Sequence, residues 1–181
     1  RGTTMMRGAL AAWAVLLGKY SGGQDEVMVG IPYANREHHV VQDIVGYFVN
    51  TLAVRARVEG QQSFREVVSG VMDVVDKVLR HAQVPFVRVV EEVAAVRDAS
   101  RTPVFQTMFA WEETSGWGED DDSMLGLESV PLSWRSSEVA AKFEVELQLQ
   151  DRDAEGAMEG RITFNSDLYF ERTMERLAKH F

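Results

Sequence analysis

The residues best suited to chemistry are two adjacent histidines, His38 and His39, with Asp43 four positions after the second. A histidine can take up or release a proton near neutral pH, and a nearby carboxylate can fix the orientation of its ring. The spacing therefore raises the possibility of a general acid–base centre. Whether the pattern is catalytic depends on the elements that surround it.

Other patterns for catalysis or metal binding are missing from the sequence. There is no cysteine, which excludes disulfides, thiolate nucleophiles and cysteine zinc sites. The four histidines show no His-Glu-x-x-His spacing, and neither a glycine-rich phosphate loop nor a Gly-x-Ser-x-Gly elbow occurs. We predict no bound metal and no bound cofactor.

Length and composition indicate one globular domain or one half of a larger one, with 181 residues, 45% of them hydrophobic. The net charge of -9 argues against nucleic-acid binding. The longest apolar run, ALAAWAVLLG, is about half of a bilayer span, so we predict no membrane contact and, without cysteine, a cytoplasmic location. Because the chain starts at Arg1 and ends within a helical pattern, we expect a piece of a longer protein.

The hydrophobic periodicity in the first half predicts alternating helices and strands. The segment from Thr4 to Tyr20 reads as a helix buried on several sides, and EVMVGIP reads as an interior strand that ends at Pro32. After a polar loop, residues 50–58 alternate as a half-buried strand. Ser63 and Glu66 form a capping box that starts a helix, and Pro85 suits the first position of another, with Phe86, Val89, Val90 and Val93 facing inward.

The second half predicts three further strands and a final helix. PVFQTMFAWE and KFEVELQLQ read as strands, with Phe143, Val145, Leu147 and Leu149 on one face, and residues 143–165 as an antiparallel hairpin. A last helix carries Phe170, Met174, Leu177 and Phe181. The stretch between the first two of these strands is acidic and predicts a solvated loop. About five strands and four helices in mixed order indicate an α/β layered sandwich with a mixed sheet.

Several blocks, in this order, resemble the condensation domains of nonribosomal peptide synthetases. The blocks are VGIPYANRE, IVGYFVNTLAVR, HAQVPFVRVVEEV, RDASRTPVFQTMF and EGRITFNSDLYFERTMERLAKHF. The resemblance implies a chloramphenicol-acetyltransferase-like fold: a two-layer sandwich whose mixed β-sheet is covered by helices, as one arm of a V-shaped pseudo-dimer. It further implies that residues 1–181 are the C-terminal subdomain only, without the N-terminal subdomain.

The resemblance also bears on the two histidines. In the family, the catalytic His-His-x-x-x-Asp-Gly motif lies in the N-terminal arm, and here Ile44 stands where that motif has glycine. A β-branched isoleucine resists the tight turn that glycine permits. We therefore interpret His38 and His39 as surface-loop residues, and expect no catalytic residue in this chain.

The resemblance also implies positions for individual residues. Gly46, Tyr47, Phe48, Asn50 and Thr51 are expected along the wall of the substrate tunnel. Asn50 has two open roles, because its amide could point into the cleft or could tie two backbone segments together. The remaining motif residues are interpreted as structural: Arg36, His81, Pro85, Phe86, Arg97, Asp98, Ser100, Arg101, Pro103, Phe105 and Gln106. Among them, His81 is expected to cap the preceding helix. Asp98 and Arg101 are expected to form a local salt-bridged turn.

The activity implied by the resemblance is amide formation between two carrier-bound substrates on 4'-phosphopantetheine arms. The expected partners are the missing N-terminal subdomain, upstream and downstream peptidyl carrier domains and an adenylation domain of the same polypeptide. The acidic segment from Glu112 to Ser133 is a candidate for part of a crossing to the other arm. Alone, the chain is expected to be inert, to expose apolar surface and to be able to form a homodimer.

Three alternatives remain open at this point. The first is a free-standing acyltransferase of the same fold that uses a soluble acyl thioester. The second is a non-catalytic relative that docks or recruits partner enzymes. The third is an epimerising relative, against which the intact FVNTL block argues, because such relatives usually depart from it.

Overall fold

The computed structural model describes residues 2–93, 101–112, 140–151 and 158–181 of the chain. Its helices are α1 (Gly2–Tyr20), α2 (His39–Gln42), α3 (Phe64–Leu79), α4 (Phe86–Val93) and α5 (Glu171–His180). Its strands are β1 (Glu26–Tyr33), β2 (Asn50–Arg57), β3 (Thr107–Glu112), β4 (Val145–Asp151) and β5 (Met158–Phe164). Within these ranges, none of the helices has the length and apolar character needed to cross a bilayer.

The five described strands form one mixed sheet in the order β2-β1-β3-β4-β5. The outer pairs β1–β2 and β4–β5 are antiparallel, and the inner pairs β1–β3 and β3–β4 are parallel. The predicted mixed sheet and the predicted C-terminal hairpin are thus confirmed. Strands β1 and β3 are parallel neighbours, and the chain forms β2, α3 and α4 between them.

One face of the sheet and the helices α1, α3 and α5 enclose the hydrophobic core. Alternate residues of each central strand point into it, because side chains in a strand alternate between faces. In β2 they are Leu52, Val54 and Ala56, all buried, whereas Val58, predicted on the same face, lies after the end of the strand and is half-buried. Trp13 of α1 is fully buried, and its indole nitrogen donates a hydrogen bond to Thr107 Oγ1 over 3.3 Å.

The start of α3 is fixed by the capping box that the sequence predicts. The Ser63 hydroxyl accepts a hydrogen bond from the Glu66 amide at 3.4 Å, and the Glu66 carboxylate accepts one from the Ser63 amide at 2.8 Å. Val67, Val71 and Val75 of this helix are buried against the sheet side of the core. Helical spacing and the cap therefore outweigh the β propensity of valine.

Strand β1 continues through Pro32 to Tyr33, one residue beyond the predicted end. The Val58 amide donates to the Asp25 carbonyl, and the register then places Pro32 opposite Thr51 in a pair without mutual hydrogen bonds. The missing N–H of proline therefore removes no bond between β1 and β2. The following loop, predicted to be irregular as far as Asp43, contains the short helix α2.

Three other predicted boundaries and one predicted face were wrong. Strand β3 begins at Thr107 instead of residue 103, and β4 begins at Val145, so that Phe143 lies outside the strand. Helix α4 begins at Phe86, one residue after Pro85, and has no buried residue. Val93, predicted to face inward, is 65% exposed because α4 packs on the sheet only near its first turn.

Candidate functional site

Three of the sequence blocks meet on the sheet face opposite the core helices. The Phe105 ring is buried, and its centroid lies 5.4 Å from that of Phe86 and 5.7 Å from that of Phe143. It lies against Gly30 of β1, where an added Cβ would be only 2.3 Å from the ring. A single aromatic cluster thus joins β1, the start of α4 and the segments before β3 and β4.

The segment before β3 is folded into a strained turn that inserts Phe105. The Phe105 amide donates to the Pro103 carbonyl at 2.9 Å, and the intervening Val104 has φ of 72°. A positive φ at a β-branched residue is unfavourable and persists only when the surroundings enforce it. The enforcing bonds run from Thr102 Oγ1 to the Phe105 carbonyl at 2.7 Å and from Gln106 Nε2 to the Thr102 carbonyl at 3.0 Å.

Asn50 at the start of β2 ties together two backbone segments, which is the second of its two considered roles. Its Nδ2 donates to the carbonyls of Ala82 at 2.8 Å and Val84 at 2.9 Å. Its Oδ1 accepts from the amides of Thr51 at 2.9 Å and Phe86 at 3.1 Å. Both donors and both acceptor directions of the amide are used, so the loop before α4 is fixed to the start of β2.

Arg36 holds the loop between β1 and β2. Its guanidinium donates to the carbonyls of Val41 at 2.6 Å, Gln42 at 3.3 Å, Ile44 at 2.9 Å and Gly46 at 2.9 Å. The same group lies 4.5 Å from the centroid of the Phe48 ring, in the range of a cation–π contact. One side chain therefore bridges four backbone carbonyls of this loop.

The apolar side chains of that loop face outward. Val45 is 100% exposed and Tyr47 is 87% exposed, although the backbone around them is fixed. Only Val49 separates Gly46, Tyr47 and Phe48 from Asn50 and Thr51, so the five residues expected along the tunnel wall belong to one six-residue segment. Their position against a substrate remains a prediction.

The paired histidines lie on the surface at the start of α2, with His38 as its N-cap and His39 as its first residue. His38 Nδ1 accepts a hydrogen bond from the Val40 amide at 3.3 Å, and the His38 and His39 rings stack with centroids 4.7 Å apart. Asp43 is the C-cap residue of the same helix, where its backbone amide donates to the Val41 carbonyl. No hydrogen bond or ion pair joins Asp43 to either ring in this part of the structure, so the geometry contains no oriented His–Asp pair.

The other two histidines have separate environments. The side-chain cap predicted for His81 is not formed; its backbone amide donates to the Val78 carbonyl instead, at 3.0 Å. The His81 ring lines an apolar groove of about 320 Å³ between β2, α3 and α4. His180 Nδ1 is 2.9 Å from the Tyr20 hydroxyl, which ties the end of α5 to the end of α1.

Two tyrosines in the described part of the chain have raised pKa values, and neither is an acid or base near neutral pH. A hydrogen bond to Glu37 raises the pKa of Tyr33 to about 12. Burial, and then a hydrogen bond to Glu144, raise the pKa of Tyr169. Both phenols therefore stay protonated at neutral pH.

Some predicted residues fall outside the part of the chain that the structure describes. They are Arg97, Asp98 and Ser100, together with the acidic segment from residue 113 onward. Of the other residues in those blocks, Arg101 and Pro103 are exposed. Within the described ranges, no three His, Asp or Glu side chains come together as a metal site would require.

Comparison with known proteins identifies the family. The model of the condensation domain matches residues 1–181. The chain belongs to the condensation domain family. It is 36% identical over 180 residues to gramicidin S synthase 2 of Brevibacillus brevis, a match that covers 99% of this chain and 4% of that protein. The condensation chain is thus similar to a small part of a multidomain synthetase.

Solved structures share the fold of the condensation chain. The X-domain from teicoplanin biosynthesis matches with a TM-score of 0.81 and 24% identity, over 96% of this chain and 39% of that one. Its complex with OxyB also matches, with a TM-score of 0.75, 22% identity and 97% and 37% of the two chains. The first condensation domain of the CDA synthetase matches with a TM-score of 0.68 and 18% identity, over 96% and 38%. The predicted chloramphenicol-acetyltransferase-like fold is confirmed.

Sequence reasoning missed two features of the condensation chain. It did not foresee that Phe105 covers Gly30, although a glycine inside an apolar strand can signal close approach of another group. It also assigned no role to the guanidinium of Arg36. The only feature of the sequence that pointed to this residue was its place in the VGIPYANRE block. Both depend on contacts between segments that periodicity does not relate.

Proposed function

We propose that this part of a nonribosomal peptide synthetase condensation domain is its C-terminal arm, forming one wall of the tunnel where the amide bond is made. The observation that supports a single arm is coverage: the chain aligns over 96% of its own length with only 38% of a solved condensation domain. The choice of the C-terminal arm rests on the ordered sequence blocks, which resemble that arm of the family. The remainder of such a domain is large enough for a second arm.

The reaction proposed for the whole domain is aminolysis of a thioester. The free amine of a downstream carrier-bound aminoacyl group attacks the carbonyl carbon of an upstream acyl or peptidyl thioester. The C–N bond forms, the C–S bond breaks, and the proton lost by the amine ends on the released thiol. Both substrates arrive on phosphopantetheine arms, so the main physical contribution is high effective concentration and orientation.

The residues of this chain support a positioning role more than a chemical one. The two surface histidines lack an oriented carboxylate partner, and the phenols with shifted pKa remain protonated. The fixed loop before Asn50 instead offers exposed apolar side chains, among them Tyr47. Proton handling is assigned, by resemblance, to the second histidine of the family motif in the other arm.

The test compares the chain alone with the chain joined to the residues encoded before Arg1 in its gene. Amide formation is measured by mass spectrometry with two carrier-bound thioesters. We expect product only from the longer protein, loss of product on replacing the second histidine of its upstream motif, and no loss with His39→Ala. Turnover by the isolated chain, abolished by His39→Ala, would overturn the proposal, as would a gene without an upstream His-His-x-x-x-Asp-Gly motif.

A docking role is the second candidate, because one structure of this fold is a complex of an X-domain with OxyB. If the longer protein binds another enzyme and forms no amide with any carrier-bound pair, this candidate replaces the first. Binding would be measured by isothermal titration with enzymes encoded beside the synthetase gene.

A further inference from the structure

We propose that Arg36 is a positioning residue that holds residues 41–48, here called the Arg36 loop, as a preformed surface against the carrier-bound substrates. The inference rests on the proposed function and deepens it. In this role the Arg36 side chain sets the geometry of the tunnel wall and does not itself contact the reacting atoms. The family resemblance did not give Arg36 this role.

The first step is the hydrogen-bond network. The guanidinium donates to four carbonyls of one loop, at distances between 2.6 and 3.3 Å, and none of these carbonyls belongs to a strand. A planar fork of five N–H donors can serve several acceptors at once, and hydrogen bonds from a charged donor are stronger than neutral ones. Lysine has three donors at a single point and cannot reproduce this spread.

The second step concerns the apolar side chains of the loop. The hydrogen bonds do not bury them in the core, since Ile44, Val45 and Tyr47 are 45%, 100% and 87% exposed. Ordering a loop loses conformational entropy, and here Val45 and Tyr47 bury too little apolar surface to offset that loss. The Arg36 loop therefore presents the apolar side chains of Val45 and Tyr47 on the surface, where we infer that they face the carrier-bound substrates.

The third step is the attachment of the loop at its far end. Phe48 lies under the guanidinium, and Asn50, two residues later, is fixed by hydrogen bonds to the segment before α4. The Arg36 loop is thus held by Arg36, which follows β1, and at its far end by Asn50, the first residue of β2. A surface fixed before binding avoids an ordering cost when the substrate arrives, and it keeps the reacting groups aligned.

The test uses Arg36→Lys in two settings, with Arg57→Lys as the matched control. Arg57 is an exposed arginine that pairs with Glu26 at 3.0 Å, away from the loop. In the 181-residue chain, backbone order parameters are measured by ¹⁵N relaxation. In the longer protein, kcat and KM for the loaded carriers are measured together with the thermal midpoint.

We expect Arg36→Lys to lower the order parameters of residues 41–48 from about 0.85 to below about 0.6, with the strands unchanged. In the longer protein, kcat falls about ten- to hundredfold while KM is unchanged, because the lost contact orients substrates instead of holding carriers. Arg57→Lys leaves both readouts at the wild-type values.

Two results would overturn the inference. If the loop becomes mobile and kcat stays at the wild-type value, loop order does not serve the reaction. If order is lost throughout the chain and the thermal midpoint collapses, Arg36 only supports the fold. Failure of the proposed function is a separate result, since then the wild-type longer protein itself makes no amide.

Discussion

Gly30 shows how one residue decides the packing between distant segments. An added Cβ would lie 2.3 Å from two atoms of the Phe105 ring, and that ring also contacts Phe86 and Phe143. The ring is large and enclosed, so it cannot move aside without disturbing its neighbours. The glycine therefore serves close approach in a strand that would otherwise favour a larger residue.

We predict that Gly30→Ala lowers the free energy of unfolding by about 1–3 kcal/mol, because it overpacks the contact with Phe105. Urea denaturation followed by circular dichroism measures the change. Gly70→Ala is the control: an added Cβ there has no atom within 4 Å, and we expect a gain of about 0.5–1 kcal/mol from helix propensity. Equal midpoints for wild type and Gly30→Ala would show that the ring does not lie on the glycine.

At the scale of an element, α3 is specified at its start by a reciprocal cap. The hydrogen bonds from the Ser63 side chain and backbone lower the pKa of Glu66. A carboxyl whose pKa is lower in the folded state than in the unfolded state stabilises the fold above its unfolded pKa. That contribution is lost as the pH falls through the folded pKa.

We predict that Ser63→Ala lowers the free energy of unfolding by about 1 kcal/mol at neutral pH, as loss of an N-cap side chain does. The difference from wild type should shrink in acid, because the protonated, uncharged Glu66 carboxyl accepts the cap bonds more weakly in both proteins. Urea titrations at neutral and acidic pH measure both effects. Ser69→Ala, at an exposed position inside the same helix, serves as the control and should be neutral or slightly stabilising. A difference that is constant with pH contradicts the cap as the cause.

At the scale of the whole molecule, apolar exposure and net charge oppose each other. Large apolar side chains are exposed on the Arg36 loop and just before α5, where Leu168 and Phe170 are 56% and 72% exposed. Such surface favours association. The net charge of -9 disfavours it, but salt screens that repulsion.

We predict that the isolated chain self-associates and that salt strengthens the association. Light scattering coupled to size-exclusion chromatography should give a mass that rises above 20.4 kDa with concentration, more steeply at high salt. The double variant Val45→Glu and Tyr47→Ser should shift the mass back toward one chain. A mass of one chain at every concentration and salt level would refute the prediction.

The sequence by itself determined those features that depend on a few neighbouring residues. The capping box of α3, the alternation in β2 and β4 and the C-terminal hairpin each follow from local spacing, and the structure confirms them. The ordered blocks also indicated the family, which the comparison then established. Local spacing is reliable here because caps and periodicity act within one or two turns of chain.

Only the tertiary structure decided what depends on distant partners. The carbonyls that accept hydrogen bonds from the Asn50 side chain lie 32 and 34 residues away in sequence. Strand β3 begins later than predicted because the turn before it places Phe105 against β1. Val93 is likewise exposed because α4 packs on the sheet only near its first turn. No local pattern encodes these outcomes, because they arise when chain reversal brings together segments whose residues have no fixed spacing in sequence.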